Sequence, residues 1–95
     1  MINKRYYIIG IAGVAMASLA GLLKKKGYDV AGSDQEIYEP TKGMLRDLKI
    51  PLFTPYKAFH VKRYKPDVVV VGNAISRGNA ELEYILSNGH FYRSL

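Results

Sequence analysis

The chain has 95 residues, 48% of them hydrophobic and 23% charged, with a net charge of +6 and no cysteine. That length suffices for one domain with a modest core but is small for an enzyme enclosing two substrates, and the composition is too apolar for a disordered segment. The missing cysteines exclude a disulfide framework and a thiolate metal site; His60 and His90 are too few for a histidine-rich zinc site, and each reads as a surface or loop residue.

The first question in chain order is the uncharged run from Tyr6 to Leu23, "YYIIGIAGVAMASLAGLL", flanked by lysine and arginine on both sides. Its length approaches that of a membrane span, Ala15-Met16-Ala17 imitates a small-x-small cleavage site, and Gly13, Ala17 and Gly21 fall at the four-residue step that lets membrane helices approach closely. Alanine, glycine and serine fill its second half, however, and contribute little transfer free energy. The alternative is a strand over Arg5 to Gly10, a glycine turn, and a helix from Val14 in which Met16, Leu19, Ala20 and Leu23 recur at helical spacing. Three lysines and Gly27 close that helix.

Asp29 to Gly32 reads as a second strand ending at Ser33-Asp34. Pro40 or Thr41 then starts a helix with Met44, Leu45 and Leu48 on one face. Pro51 to Phe53 is a weak third strand. Thr54 to Pro66 gives little signal beyond an irregular helical turn around Lys57 to Val61. The four valines between Pro66 and Gly72 are the clearest strand, with the continuous apolar run of one covered on both faces. Asn79 caps a helix through Leu86, with Glu81 and Glu83 near its positive end and Gly89 as terminator, and Phe91-Tyr92 begins a last strand. Strands alternating with helices in this way predict a single Rossmann-like α/β domain, a doubly wound parallel sheet of about five strands. The uncharged run is then the central strand with its packed helix, and no lipid is required.

The positive charge suits an anionic partner, but Lys24 to Lys26 sit at a helix end and Lys57, Lys62, Arg63 and Lys65 are scattered through a loop-like segment. With no basic stripe interleaved with aromatics, nucleic acid is not the predicted partner.

Ligands of a doubly wound sheet bind beyond the carboxyl ends of its strands, which brings together Gly10 to Ala15, Ser33 to Gln35 and Gly72 to Ser76. "GIAGVA" follows the Gly-x-Gly-x-x-Gly pattern with alanine at the second and third glycine positions, Ala12 and Ala15. Gly10 permits the turn, Ala12 admits an anion close to the backbone, and the amides of Gly13, Val14 and Ala15 point at a phosphate or diphosphate. Asp34, about 20 residues further on, is placed to accept from a nucleotide ribose. Gly72 and Asn73 bring backbone amides and a carboxamide, and Arg77 can meet a phosphate or carboxylate. No Ser-His-Asp set, paired carboxylates, metal constellation or Gly-x-x-x-x-Gly-Lys-Ser/Thr loop occurs, so neither catalytic residues nor an ATP site are assigned to this chain.

The stretch "YIIGIAGVAMASLAGLLKKKGYDVAGSD" resembles the N-terminal domain of the Mur ligases, through Gly10, Ala12, Gly13, Met16, Leu19-Ala20, Gly27-Tyr28 and Gly32-Ser33-Asp34; Ala12 and Ala15 depart where glycine is common. The likeness continues through "VVVVGNAISRGNAELEYIL". Two branches fit, one adding L-alanine to UDP-N-acetylmuramate and one attaching a recycled tripeptide; "YEPTKGML" and "GNAISRGN" are more similar to the latter. The resemblance implies a cytoplasmic enzyme in which residues 1–95 hold UDP-N-acetylmuramate. Gly10, Ala12, Gly13, Val14 and Ala15 lie against the diphosphate, Ser33, Asp34 and Gln35 near the uridine, and Asn73, Ala74, Ile75 and Ser76 near the phosphates and sugar. It also implies ATP and magnesium on a central domain, and a C-terminal domain that helps choose the amino acid or peptide acceptor, both outside this chain. From the residues alone, a nicotinamide-dependent oxidoreductase domain and a non-catalytic ligand-sensing module remain the alternatives.

Overall fold

The computed structural model describes residues 4–94. Five strands form one sheet: β1 (Arg5–Ile9), β2 (Asp29–Ser33), β3 (Leu52–Phe53), β4 (Val68–Val71) and β5 (Tyr92–Ser94). Their order is β3-β2-β1-β4-β5, and every neighbouring pair is parallel. The helices between them are α1 (Val14–Lys25), α2 (Thr41–Asp47), α3 (Ala58–Tyr64) and α4 (Ala80–Ser87).

Parallel strands need covering on both faces, and β1 and β4 supply side chains for both by simple alternation. Ile8, Val30 and Val70 point to the face covered by α1 and α2, where Met16, Ala17, Ala20 and Leu45 meet them. Tyr7, Ile9, Ala31, Val69 and Val71 point to the other face, against Val61 of α3 and Leu82 and Ile85 of α4. The uncharged run near the start is thus divided between a buried strand and a helix laid on it. Among the described residues no helix is long and apolar enough to cross a membrane. Ala17 and Ala20, at 5% and 0% exposure, let α1 lie close to the sheet.

The element boundaries follow their local signals. Asn79 caps α4 by accepting from the amides of Glu81 and Leu82. Gly27 and Gly89 follow α1 and α4 with positive φ. Three expectations need correction. The stretch after Thr54 holds a regular helix, α3, over Ala58–Tyr64 rather than one irregular turn, so Lys62 and Arg63 occupy its last turn instead of a loop. Its apolar stripe is short and interrupted by cations, so the helix is specified by packing onto the sheet more than by periodicity. His60 lies on that helix, with its ring stacked on Phe53 at 5.0 Å and its Nε2 buried. Of the apolar residues of α2, Leu45 is buried while Met44 is 47% exposed.

Candidate functional site

The chain runs from β1 outward to β2 and β3, then returns to place β4 on the other side of β1. The loops leaving β1 and β4 therefore diverge, and the crevice between them is where a doubly wound sheet receives ligands. It has a volume of about 310 Å³ and is lined by Gly10, Gly13, Val14, Ala15 and Met16 from the first loop and helix, Asp34 and Tyr56, and Gly72, Asn73, Ala74 and Ile75 after β4.

Gly10 makes the turn at φ 89°, and a Cβ there would lie 3.3 Å from the Ile75 side chain, so the residue both permits the turn and lets the two loops touch. The turn closes with the Gly13 amide donating to the Gly10 carbonyl at 3.2 Å. This corrects one expectation, since that amide is spent inside the loop. The first amide to find a helical acceptor is that of Ala17, on the Gly13 carbonyl at 2.8 Å. Gly13 caps α1 without a side chain, and the first turn holds no acidic residue. The amides of Val14, Ala15 and Met16 thus head a twelve-residue helix with no intrahelical partner and no neighbouring carboxylate in the turn. A helix start of this kind attracts an anion. The Gly72 amide donates to the Ile9 carbonyl at 3.0 Å, so it too is committed to the backbone, while Asn73 and Ala74 stay exposed.

Asp34 stands at the centre. Its Oδ2 accepts from the Ala12 amide at 3.0 Å, and its Oδ1 accepts from the Gln35 amide at 2.8 Å and from the Tyr56 hydroxyl at 3.1 Å. Burial and the adjacent Asp34 carboxylate push the Tyr56 hydroxyl well above its usual range, so it remains protonated and donates. Ser33, the residue before it, is fully buried on the face of the sheet that α4 covers. Its Oγ donates to Glu81 Oε1 at 2.5 Å, and Glu81 Oε2 accepts from the Lys57 amide at 2.9 Å. Burial raises the Glu81 carboxyl above the ordinary range, while these hydrogen bonds and His60 pull the other way.

Of the residues read from the sequence, the crevice brings together Gly10, Gly13, Val14, Ala15, Asp34, Asn73, Ala74 and Ile75. Ala12 contributes from behind through its amide. Ser33 is turned into the core, and Gln35 and Ser76 are exposed outside the crevice lining. Arg77 is held by Glu83 in a two-pronged pair at 2.7 and 3.0 Å, and among the described residues no lysine or arginine lines the crevice. Tyr56 is the residue sequence reasoning missed. It follows Thr54-Pro55 in a stretch with neither helical nor strand periodicity, and only its place directly after a proline hinted at an ordered position. A larger cavity of about 570 Å³ lies at α3, lined by aromatic rings and by Arg5 and Arg63. Its Arg5 guanidinium is already committed to the Tyr64 carbonyl, to Asp29 and to the Tyr64 ring.

Residues 5–95 match the family model described as "Mur ligase family, catalytic domain". The chain belongs to the Mur ligase family. It is 38% identical over 91 residues to the UDP-N-acetylmuramate--L-alanyl-gamma-D-glutamyl-meso-2,6-diaminoheptandioate ligase of Haemophilus influenzae, covering 96% of this chain and 20% of that protein. It is 39% identical over 92 residues to the UDP-N-acetylmuramate--L-alanine ligase of Lactobacillus acidophilus, covering 97% of this chain and 21% of that one. Its fold superposes with a TM-score of 0.94, at 36% identity, on the crystal structure of UDP-N-acetylmuramate:L-alanyl-gamma-D-glutamyl-meso-diaminopimelate ligase from Neisseria meningitides, over 98% of this chain and 29% of that chain. This member of the Mur ligase family thus spans about one fifth of the length of these curated relatives. Both reach a similar identity, so overall similarity does not separate the two branches.

Proposed function

We propose that residues 1–95 are the UDP-N-acetylmuramate-binding domain of an ATP-dependent amide ligase of peptidoglycan recycling, one that attaches a tripeptide to the nucleotide sugar. The observation that carries the reading is the uncapped start of α1, where the amides of Val14, Ala15 and Met16 face a crevice closed on its far side by Asn73, Ala74 and Ile75. A diphosphate fits that start, and Asp34 adds an acceptor beside it for a nucleoside donor. The tripeptide branch is favoured by "GNAISRGN" and by the superposition on the Neisseria meningitides enzyme, whose name carries that peptide, at a TM-score of 0.94. The alternative is the L-alanine branch, favoured by the Lactobacillus acidophilus relative. Both use the same nucleotide sugar, so the present site serves either.

A volume of about 310 Å³ is at the small end for a ligand site, which suits a domain that holds part of the substrate and shares the rest with a neighbour. The residues of this chain do not fit magnesium and ATP. Among the described residues no three His, Cys, Asp or Glu side chains group to hold a metal, and the glycine loop carries neither lysine nor hydroxyl. In this reading ATP, magnesium and the peptide acceptor belong to a central and a C-terminal domain outside the chain, and the complete enzyme is cytoplasmic. The work of these residues is to bind and orient the sugar nucleotide so that its carboxylate is presented to those domains.

The nicotinamide alternative is disfavoured by Asp34. A dinucleotide site keeps a free acid for the ribose hydroxyls, whereas three protein donors already occupy this one. An amide chemical-shift titration with UDP-N-acetylmuramate, run in parallel with NAD, tests the reading. The expected result is saturable shifts at Val14, Ala15, Asp34 and Asn73 with the sugar nucleotide and none with NAD. Shifts with NAD alone overturn it.

A further inference from the structure

We propose that Tyr56 is a positioning residue of the crevice: its hydroxyl fixes the Asp34 carboxylate in the orientation that holds the glycine loop by the Ala12 amide, and thereby withholds that carboxylate from a ribose diol. The inference rests in part on the nucleotide-sugar reading above and names a residue to which that reading gives no role.

The geometry is a hydrogen-bonded chain across three segments. Tyr56 Oη donates to Asp34 Oδ1 at 3.1 Å, and the other oxygen of the same carboxylate receives the Ala12 amide at 3.0 Å. Rotating the carboxylate to meet a ligand breaks one of these bonds. Ala12 lies between Gly10, which makes the turn, and Gly13, which caps α1, so the bond to its amide fixes the direction in which the free amides of the helix start point. Tyr56 is itself anchored from below. The next residue, Lys57, donates its amide to Glu81 at 2.9 Å, and Glu81 also receives the Ser33 hydroxyl, one residue before Asp34. Adjacent residues of one segment, Tyr56 and Lys57, are thus tied to Asp34 directly and to Ser33 through Glu81, adjacent residues at the end of β2.

Lone-pair counting gives the consequence for specificity. An ionised carboxylate offers about four acceptor positions. Tyr56, Gln35 and Ala12 take three, so about one remains, on Oδ2. A single hydroxyl or ring N–H can use it, but two adjacent ribose hydroxyls reaching both oxygens cannot. Tyr56, Gln35 and Ala12 together make the site a one-donor acceptor.

The test is Tyr56→Phe, which keeps the ring and deletes the donor. In the ligand-free protein, hydrogen exchange at the Ala12 amide is expected to speed up about tenfold, the loss of roughly one hydrogen bond to a charged group. UDP-N-acetylmuramate is expected to bind about tenfold more weakly, with a melting temperature within about 5 °C of the parent. Adding Tyr56→Phe to Asp34→Asn is expected to produce no further loss, because both act through one chain. Unchanged Ala12 exchange overturns the proposal whatever the ligand does, as does unaltered UDP-N-acetylmuramate affinity in a variant of a parent that binds it. Faster Ala12 exchange in a protein whose parent does not bind the sugar nucleotide upholds the latch and overturns the nucleotide-sugar reading instead. Should Tyr56→Phe fail to fold, Asp34→Asn carries the same readout at Ala12.

Discussion

The two faces of the sheet are built on different principles. Against α1 and α2 the buried core, among the described residues, is hydrocarbon and thioether: Ile8, Ile11, Met16, Ala17, Ala20, Val30, Ile37, Leu45, Ile50 and Val70. Against α3 and α4 an apolar cluster surrounds buried polar groups, namely the Tyr7 hydroxyl, Ser33, Glu81 and the Nε2 of His60. Among the described residues neither the Tyr7 hydroxyl nor His60 Nε2 meets a partner in hydrogen-bonding geometry, although Glu81 is an electrostatic neighbour of both. Burial raises the Tyr7 hydroxyl far above its normal range, with Glu81 adding to the effect. The dry face lets α1 approach the sheet closely and so aims the helix start at the crevice. The polar face ties together the ends of β2, α3 and α4, whose loops form the rest of that crevice. One face works by shape and the other by hydrogen bonds, so they should fail differently.

The largest effect is expected on the polar face. Glu81→Ala leaves the Ser33 hydroxyl and the Lys57 amide without their acceptor and should cost about 4 kcal/mol in urea unfolding. A loss below about 1 kcal/mol would erase the contrast between the faces. The dry face is probed by Gly32→Ala. A Cβ there would lie 2.5 Å from Ile11 Cδ1 and 2.8 Å from the Ile8 carbonyl oxygen, and backbone cannot yield as a side-chain tip can. A cost of about 3 kcal/mol from overpacking is expected. Asn79→Ala, which removes the cap of α4 but touches neither core, should cost only about 1 kcal/mol.

The smallest effects are in pH dependence, and there two glutamates of α4 should differ in sign. Glu81 is raised above 4.5, chiefly by burial, so the folded chain holds its proton more tightly than the unfolded chain. Its contribution is full below 4.5 and is lost as pH rises through the folded value. Glu83 is lowered to about 2 by hydrogen bonds from Arg77 and the Gly78 amide. Its contribution is present above 4.5 and is lost as pH falls toward 2. Melting curves from pH 2 to 7 should show Glu81→Gln flattening the decline above 4.5 and Glu83→Gln flattening the rise between 2 and 4.5. Identical pH profiles for the two variants would contradict the burial difference.

Most of the fold was legible because its signals are local. Four consecutive valines, a glycine turn between a strand and a helix, and Asn79 before Glu81 and Leu82 each act within a few residues. The crevice was legible to the same extent, since Gly10 to Ala15, Asp34 and Asn73 to Ile75 sit at strand ends that any parallel sheet of this order brings together. The helix over Ala58–Tyr64 was not, because its short apolar face is completed by Phe53, Tyr7 and Ile85 from other elements.

The sequence by itself determined the alternation of strands and helices and the glycine loop that leads into an uncapped helix start, for these depend on periodicity and turn chemistry. Only the tertiary structure decided which polar groups at the crevice remain free of protein partners. Asp34 and Glu81 look alike in the sequence as acids near element ends. Folding gives Asp34 the Tyr56 hydroxyl and the Ala12 amide as partners, and encloses Glu81 with Ser33 and the Lys57 amide. Those partners lie 22 to 48 residues away along the chain, beyond the reach of any local pattern.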